Sequence, residues 1–214
     1  MIYIATPLYE NKVYVPFLHG FINTVYEFTK QGIPVEYSFQ TGTMLAMNRE
    51  NLARSFLKTS CQYLLYIDAD IAFSAKDIFT LLASQVDVVS GIYRLRTPVP
   101  KGHHKIPIRL VGGQWLDLIN DKKEDSVDEL LECEEVPGGL LMIRRQVIEK
   151  MYDRIPYIFN QSFTRSTLGQ AISIEEDFVG EDVHFCNVWR DMGGKIYVNT
   201  NVRVGHIGEF QYEP

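Results

Sequence analysis

Apolar and polar positions change period along the chain. Residues 1–5 (Met-Ile-Tyr-Ile-Ala) form an apolar run that ends at Thr6-Pro7, the pattern of a buried strand. From Tyr14 to Gln31, Phe17, Phe21, Val25 and Phe28 recur at helical spacing, and Gly32 follows as a C-cap residue. Ile33 to Phe39 alternates as a second strand, and Thr41-Gly42-Thr43 is a turn. Met47 to Thr59 reads as a helix with Leu52, Phe56 and Leu57 on its buried side. Tyr63 to Ile67 is an apolar third strand that ends in Asp68-Ala69-Asp70. A helix from Ala75 to Ser84 and a strand from Val86 to Tyr93 follow. Alternation of strand and helix predicts a parallel α/β sheet.

The second half is less regular. Residues 94–136 hold a basic loop, a short strand candidate (Ile106 to Val111) and an acidic segment. Val136-Pro137-Gly138-Gly139 leads into an apolar strand, Leu140 to Ile143, and Arg144 to Met151 reads as a helix. Residues 157–175 are loop-like and polar. Glu181 to Met192 is a helix closed by Gly193-Gly194. Strands Lys195 to Val198 and Val202 to Val204 precede Gly205-His206-Ile207-Gly208. There is no internal repeat or linker, so a single domain is expected. The chain stops at Glu213-Pro214 without a cap, which suggests the first domain of a longer protein.

Composition narrows the class. Of 214 residues, 46% are hydrophobic and 22% charged, which excludes disorder, collagen-like repeats and coiled coil. No apolar run reaches the ~18 residues of a membrane span, and the first residues lack the features of a signal peptide. Net charge is −6 and uneven. Residues 117–135 carry nine acids and only Lys122 and Lys123, whereas Arg94, Arg96, Lys101, Lys105 and Arg109 occur with no acid between them. That basic stretch suits an anion, although a solvated loop is the plainer reading; it is too short, and too bare of reader motifs, for nucleic acid. Cys61, Cys133 and Cys186 are odd in number and widely spaced. They argue against a disulfide framework and for a reducing, cytoplasmic compartment.

Asp68-Ala69-Asp70 is the sharpest local feature. Ligands of open α/β sheets bind at the carboxyl ends of strands. Two carboxylates one residue apart at such an end suit Mg²⁺ or Mn²⁺, with water or phosphate completing the shell. On the tripeptide alone, a solvated turn is an equal reading.

Three further segments follow in order: Pro137-Gly138-Gly139-Leu140-Leu141-Met142-Ile143-Arg144-Arg145, Gly180-Glu181-Asp182-Val183-His184-Phe185-Cys186, and Val204-Gly205-His206-Ile207-Gly208. With Asp68-Ala69-Asp70 they resemble the GT-A fold of nucleotide-sugar glycosyltransferases over residues 1 to about 208. The overall look, including Tyr3 to Tyr9, is most similar to glycosyltransferase domains of large DNA viruses that infect algae. The resemblance implies a central, mostly parallel mixed sheet flanked by helices. It also implies a nucleotide-binding half of about 1–93 and an acceptor-binding half of about 94–214.

By that resemblance Asp70 ligates the metal, Asp68 holds the ribose or a metal-bound water, and His206 is the third protein ligand. An imidazole beside carboxylates favours Mn²⁺ over Mg²⁺. Thr6, Pro7, Leu8, Tyr9 and Ala69 lie along the nucleotide, and Arg49 and Arg54, flanked by Asn48 and Asn51, lie beside it. Arg94 and Arg96 reach phosphate or acceptor. His184 is a weaker metal candidate, and His103 and His104 are expected in solvent. Glu181 and Asp182 are the candidate catalytic acids, with helix capping as the alternative. The implied reaction moves a sugar from a UDP- or dTDP-type donor to a glycan or glycoprotein acceptor, retention being slightly favoured, in viral or surface glycan synthesis. A metal-dependent nucleotidyltransferase is the rival, but Thr6-Pro7-Leu8-Tyr9-Glu10 lacks the glycine-rich phosphate loop it would need. A carbohydrate-binding module is a weaker rival, because the chain is rich in helical segments.

Overall fold

The computed structural model describes residues 1–96, 106–116, 130–163, 178–208 and 211–212. Lys101, Lys105, His103 and His104, the acidic positions 117–129 and most of the polar loop expected at 157–175 lie outside these residues.

The first half alternates as expected: β1 (Ile2–Leu8), α1 (Val15–Lys30), β2 (Val35–Thr41), α2 (Leu45–Leu57), β3 (Tyr63–Ile67), the short β4 (Ile71–Ala72), α3 (Ala75–Ala83) and β5 (Val88–Ile92). The second half contributes β6 (Arg109–Leu110), β7 (Leu130–Glu135), β8 (Leu140–Arg144), α4 (Arg145–Tyr152), β9 (Ser162–Phe163), β10 (Phe178–Val179), α5 (Glu181–Asp191), β11 (Ile196–Arg203), β12 (Gly205–Ile207) and β13 (Gln211–Tyr212). Eight strands form one sheet in the order β2-β1-β3-β8-β5-β11-β7-β6. β1 runs parallel to β2 and β3, and β11 runs parallel to β5. β8 opposes β3 and β5, and β7 opposes β11 and β6. Six strands thus share one direction, the mostly parallel mixed sheet of the expectation.

The unbroken apolar runs in β1 and β3 follow from burial on both faces. Tyr3, Ala5, Leu64 and Tyr66 point to one core, which α2, α4 and α5 cover with Phe56, Ile148 and Phe185. Ile2, Ile4, Leu65 and Ile67 point to the other, which α1 and α3 cover with Phe17, Phe28 and Ile78. Helix α3 starts with a reciprocal capping box between Ser74 and Asp77. All three cysteines are buried and free. Among the described residues, no helix is long and apolar enough to cross a membrane.

Two features depart from the sequence pattern. The expected strands 195–198 and 202–204 are one strand, β11, with a register irregularity between Val198 and Arg203. Its polar middle is held by hydrogen bonds: Asn199 donates to Ser84 Oγ at 3.0 Å. The end of the acidic segment is the strand β7, near the sheet edge. Its charges are paired outward, Glu132 with Lys195 at 2.8 Å and Glu135 with Arg109 at 3.2 Å. Charged side chains on such a strand hide its period.

Candidate active site

Strand pairing assembles the site. β8 opposes β3 with Leu140 facing Ile67, so Gly139 meets Asp68, whose N–H donates to the Gly139 carbonyl at 2.9 Å. β12 opposes β4 with His206 facing Ile71, and the Ile207 N–H donates to the Asp70 carbonyl at 2.8 Å. A two-residue strand therefore brings His206 beside Asp70 from 136 positions away. The segment after β1 is tied in as well, because the Tyr14 N–H donates to the Ala69 carbonyl at 3.0 Å.

His206 is 9% exposed, and its Nδ1 lies 2.8 Å from the Arg94 carbonyl. A carbonyl only accepts, so Nδ1 carries the proton and the lone pair of the neutral ring is on Nε2. Nε2 lies 3.5 Å from Asp70 Oδ1, a buried oxygen with no hydrogen-bond donor among the described residues. An imidazole nitrogen and a carboxylate oxygen are the kinds of donor that a divalent first-row ion takes. The other oxygen, Oδ2, pairs with Arg96 at 3.0 Å. Among the described residues no group of three or more His, Cys, Asp or Glu side chains is placed to hold a metal ion, so the expected set of Asp68, Asp70 and His206 is not brought together as three ligands. An ion on the Asp70–His206 pair would need water or ligand oxygens for the rest of its shell.

Asp68 is committed differently. Both of its oxygens accept from Arg49 Nη2, at 2.8 and 3.0 Å. Arg49 Nε donates to Glu181 Oε1 at 3.2 Å, and Nη1 donates to the Gly138 carbonyl at 2.9 Å. Burial raises the carboxyl pKa values of Asp68 and Glu181, and Arg49 opposes that rise. Burial also works against the Arg49 charge, but Asp68, Glu181 and Asp182 outweigh it and raise its pKa.

Gly138 and Gly139 are required by close approach. A Cβ on Gly138 would lie 2.9 Å from Arg49 Cζ, and one on Gly139 would lie 2.4 Å from Tyr93 Oη. The Gly139 N–H donates to Tyr93 Oη at 2.8 Å, and the Tyr93 ring packs edge-on against His206 at 5.2 Å.

Helix α5 begins at Glu181 with no side-chain cap on Gly180. Glu181 turns inward to Arg49. Asp182 accepts from the Gly138 N–H at 3.2 Å and from the Val183 N–H at 2.8 Å. The pair therefore does more than cap a helix.

A cleft of about 540 Å³, within the range of small-molecule sites, opens beside Asp68 and Asp70; His206, Glu181 and Asp182 are not among its lining residues. Pro7, Leu8, Tyr9, Tyr14, Asn48, Asp68, Ala69, Asp70 and Arg96 line it. Tyr9 is 70% exposed, a ring available for stacking. Thr6 is fully buried and Arg49 is 2% exposed; neither lines the cleft. Arg54 lies apart, bonded to Glu50 and stacked near Tyr152 and Tyr157. His184 is half-buried, with its pKa lowered by burial, and its ring interacts with the Tyr157 backbone rather than the cleft.

Tyr93 and the Arg49 bridge are not among the site features that the sequence pattern indicates. Arg49 does carry a signal: it falls on the apolar stripe of α2 with Ala46, Ala53 and Phe56, where an arginine needs buried partners.

No protein-family model matches the chain, and no curated protein matches it. Solved structures do. The chain is similar to A197 from STIV, with a TM-score of 0.57 and 19% identity over 97% of this chain and 85% of that chain. That likeness is one of fold. Two further similarities are looser. A Drosophila beta-1,4-galactosyltransferase 7 mutant in complex with manganese, UDP-Gal and xylobiose aligns with a TM-score of 0.48 and 15% identity, over 97% of this chain and 70% of that chain. A glycosyltransferase involved in the glycosylation of the major capsid of PBCV-1 aligns with a TM-score of 0.36 and 10% identity, over 70% and 62%.

Proposed function

We propose that the protein is a metal-dependent glycosyltransferase. It moves a sugar from a UDP- or dTDP-linked donor to a hydroxyl of a glycan or glycoprotein acceptor. The observation that carries this reading is the cleft of about 540 Å³ lined by Asp68, Asp70 and Arg96, with His206, which does not itself line the cleft, placing Nε2 3.5 Å from Asp70 Oδ1. Mn²⁺ suits that oxygen and nitrogen set better than Mg²⁺. When bound there, the ion supplies Lewis-acid stabilisation of the departing nucleoside diphosphate.

The remaining roles belong to the chain itself. Pro7, Leu8 and Tyr9 hold base and ribose, with Asp68 as the ribose acceptor. Arg96, half-exposed at the mouth, offers a guanidinium to phosphate oxygens. Asp182 acts on the reacting groups, because Glu181 is engaged by Arg49. Of the two stereochemical outcomes, the resemblance favours retention of anomeric configuration. Resemblance to algal-virus domains supports a place in viral or surface glycan synthesis. The three free, buried cysteines support the cytoplasm as the compartment.

The test is a panel of UDP-, dTDP-, GDP- and CMP-sugars incubated with the protein in Mn²⁺ or in chelator. Slow release of UDP or dTDP only with Mn²⁺ supports the reading. No release from any donor overturns it. Formation of a nucleotide sugar from a nucleoside triphosphate and a sugar phosphate would establish the nucleotidyltransferase instead.

A further inference from the structure

Arg49 has a polar partner on each of its three guanidinium nitrogens, and the three partners come from three elements. Nη2 bonds to Asp68 after β3, Nε to Glu181 at the start of α5, and Nη1 to the Gly138 carbonyl before β8. The guanidinium lies over the Tyr66 ring at 5.3 Å, and Tyr66 Oη donates back to the Arg49 carbonyl. A second path joins the same ends: the Asp68 N–H donates to Gly139, and the adjacent Gly138 N–H donates to Asp182. Arg49 thus closes a ring between the donor-side carboxylate and the paired acids of α5. It is 2% exposed and does not line the cleft.

Neutralising two carboxylates needs only a positive charge. Meeting both, and a carbonyl, needs a planar fork; a lysine ammonium at the end of a flexible stem does not reproduce it. Misplacement by about 1 Å at a reacting centre costs ~10²-fold in rate.

We propose that Arg49 is a positioning residue for the transfer step, holding Asp68 and Glu181 at a fixed separation without touching donor or acceptor. This rests on the cleft being a nucleotide-sugar site.

The experiment compares the parental protein with Arg49→Lys and Arg49→Ala. Calorimetric titration with UDP and Mn²⁺ counts binding-competent sites, and kcat is expressed per such site. Arg49→Lys should retain close to one UDP site per chain and lose about a hundredfold in kcat per site. Added millimolar guanidinium should restore part of kcat in Arg49→Ala and have no such effect on the parental protein. A purely structural role would reduce the number of sites and leave kcat per site unchanged. The proposal is overturned if kcat per site in Arg49→Lys stays within threefold of parental, or if neither variant folds. A parental protein with no donor turnover removes the glycosyltransferase reading and this proposal together. An active parental protein with an equally active Arg49→Lys removes the proposal alone.

Discussion

His206 presents Nε2 to Asp70 Oδ1 across 3.5 Å, while its Nδ1 is bonded to the Arg94 carbonyl. The carbonyl fixes ring and tautomer, and the facing oxygen has no donor of its own among the described residues. His206→Ala should therefore weaken Mn²⁺ binding by at least about tenfold, since losing even an outer-sphere partner of a ligand typically costs 10–100-fold. Titration of Mn²⁺ followed by electron paramagnetic resonance reads this directly. Parental affinity in the variant would remove His206 from the site.

Arg49→Met should destabilise the fold. It leaves Glu181 and Asp68 without the guanidinium that both contact. Breaking a buried ion pair from one side costs about 3–5 kcal/mol. Denaturant unfolding, with the slope checked for two-state behaviour, gives the value. A loss near zero would mean that water already compensates these carboxylates.

Asp182→Asn should lower transfer by about a hundredfold or more while UDP affinity changes little. Loss of an acid–base group typically costs ~10²–10⁴-fold, and a group acting only in the transition state leaves binding alone. Glu181→Gln tests its partner in the same assay. Near-parental transfer in both variants would confine the pair to orienting Gly138 and Arg49.

The cysteines should be inert in the folded protein. Burial pushes the Cys133 thiol up to about 12 and raises the Cys186 thiol as well. Only the thiolate reacts, so at pH 8 a disulfide reagent should label these two slowly in native buffer and quickly in denaturant. Rapid native labelling of Cys133 or Cys186 would place it at an opening that the packing of β7 and α5 does not have.

Much of this was legible before the structure. The apolar run Tyr63 to Ile67 followed by two acids specifies a buried strand whose end puts both acids on the cleft, because each signal is local. His206 is different: its approach to Asp70 depends on β12 pairing with β4, two strands too short to leave a period. β7 was obscured by Glu132, Glu134 and Glu135, whose partners Arg109 and Lys195 are distant in sequence. The resemblance puts Arg49 beside the nucleotide, yet Arg49 does not line the cleft. Its place on the apolar stripe carried the better information, that its partners are inside the protein. Tyr93 ends a strand and looks like core until Gly139 is brought beside its hydroxyl.

The central claim is that Asp70 and His206 hold a divalent ion that the nucleotide requires. Calorimetric titration of UDP into the parental protein and into Asp70→Ala, each with Mn²⁺ and with chelator, tests it most directly. Binding is predicted for the parental protein with Mn²⁺ alone, and at a hundredfold excess of UDP over Kd it should raise stability by about 2.7 kcal/mol. Asp70→Ala should remain folded and show no metal-dependent binding. Equal UDP affinity in Mn²⁺ and in chelator, or an Asp70→Ala variant that binds as the parental protein does, would contradict the account.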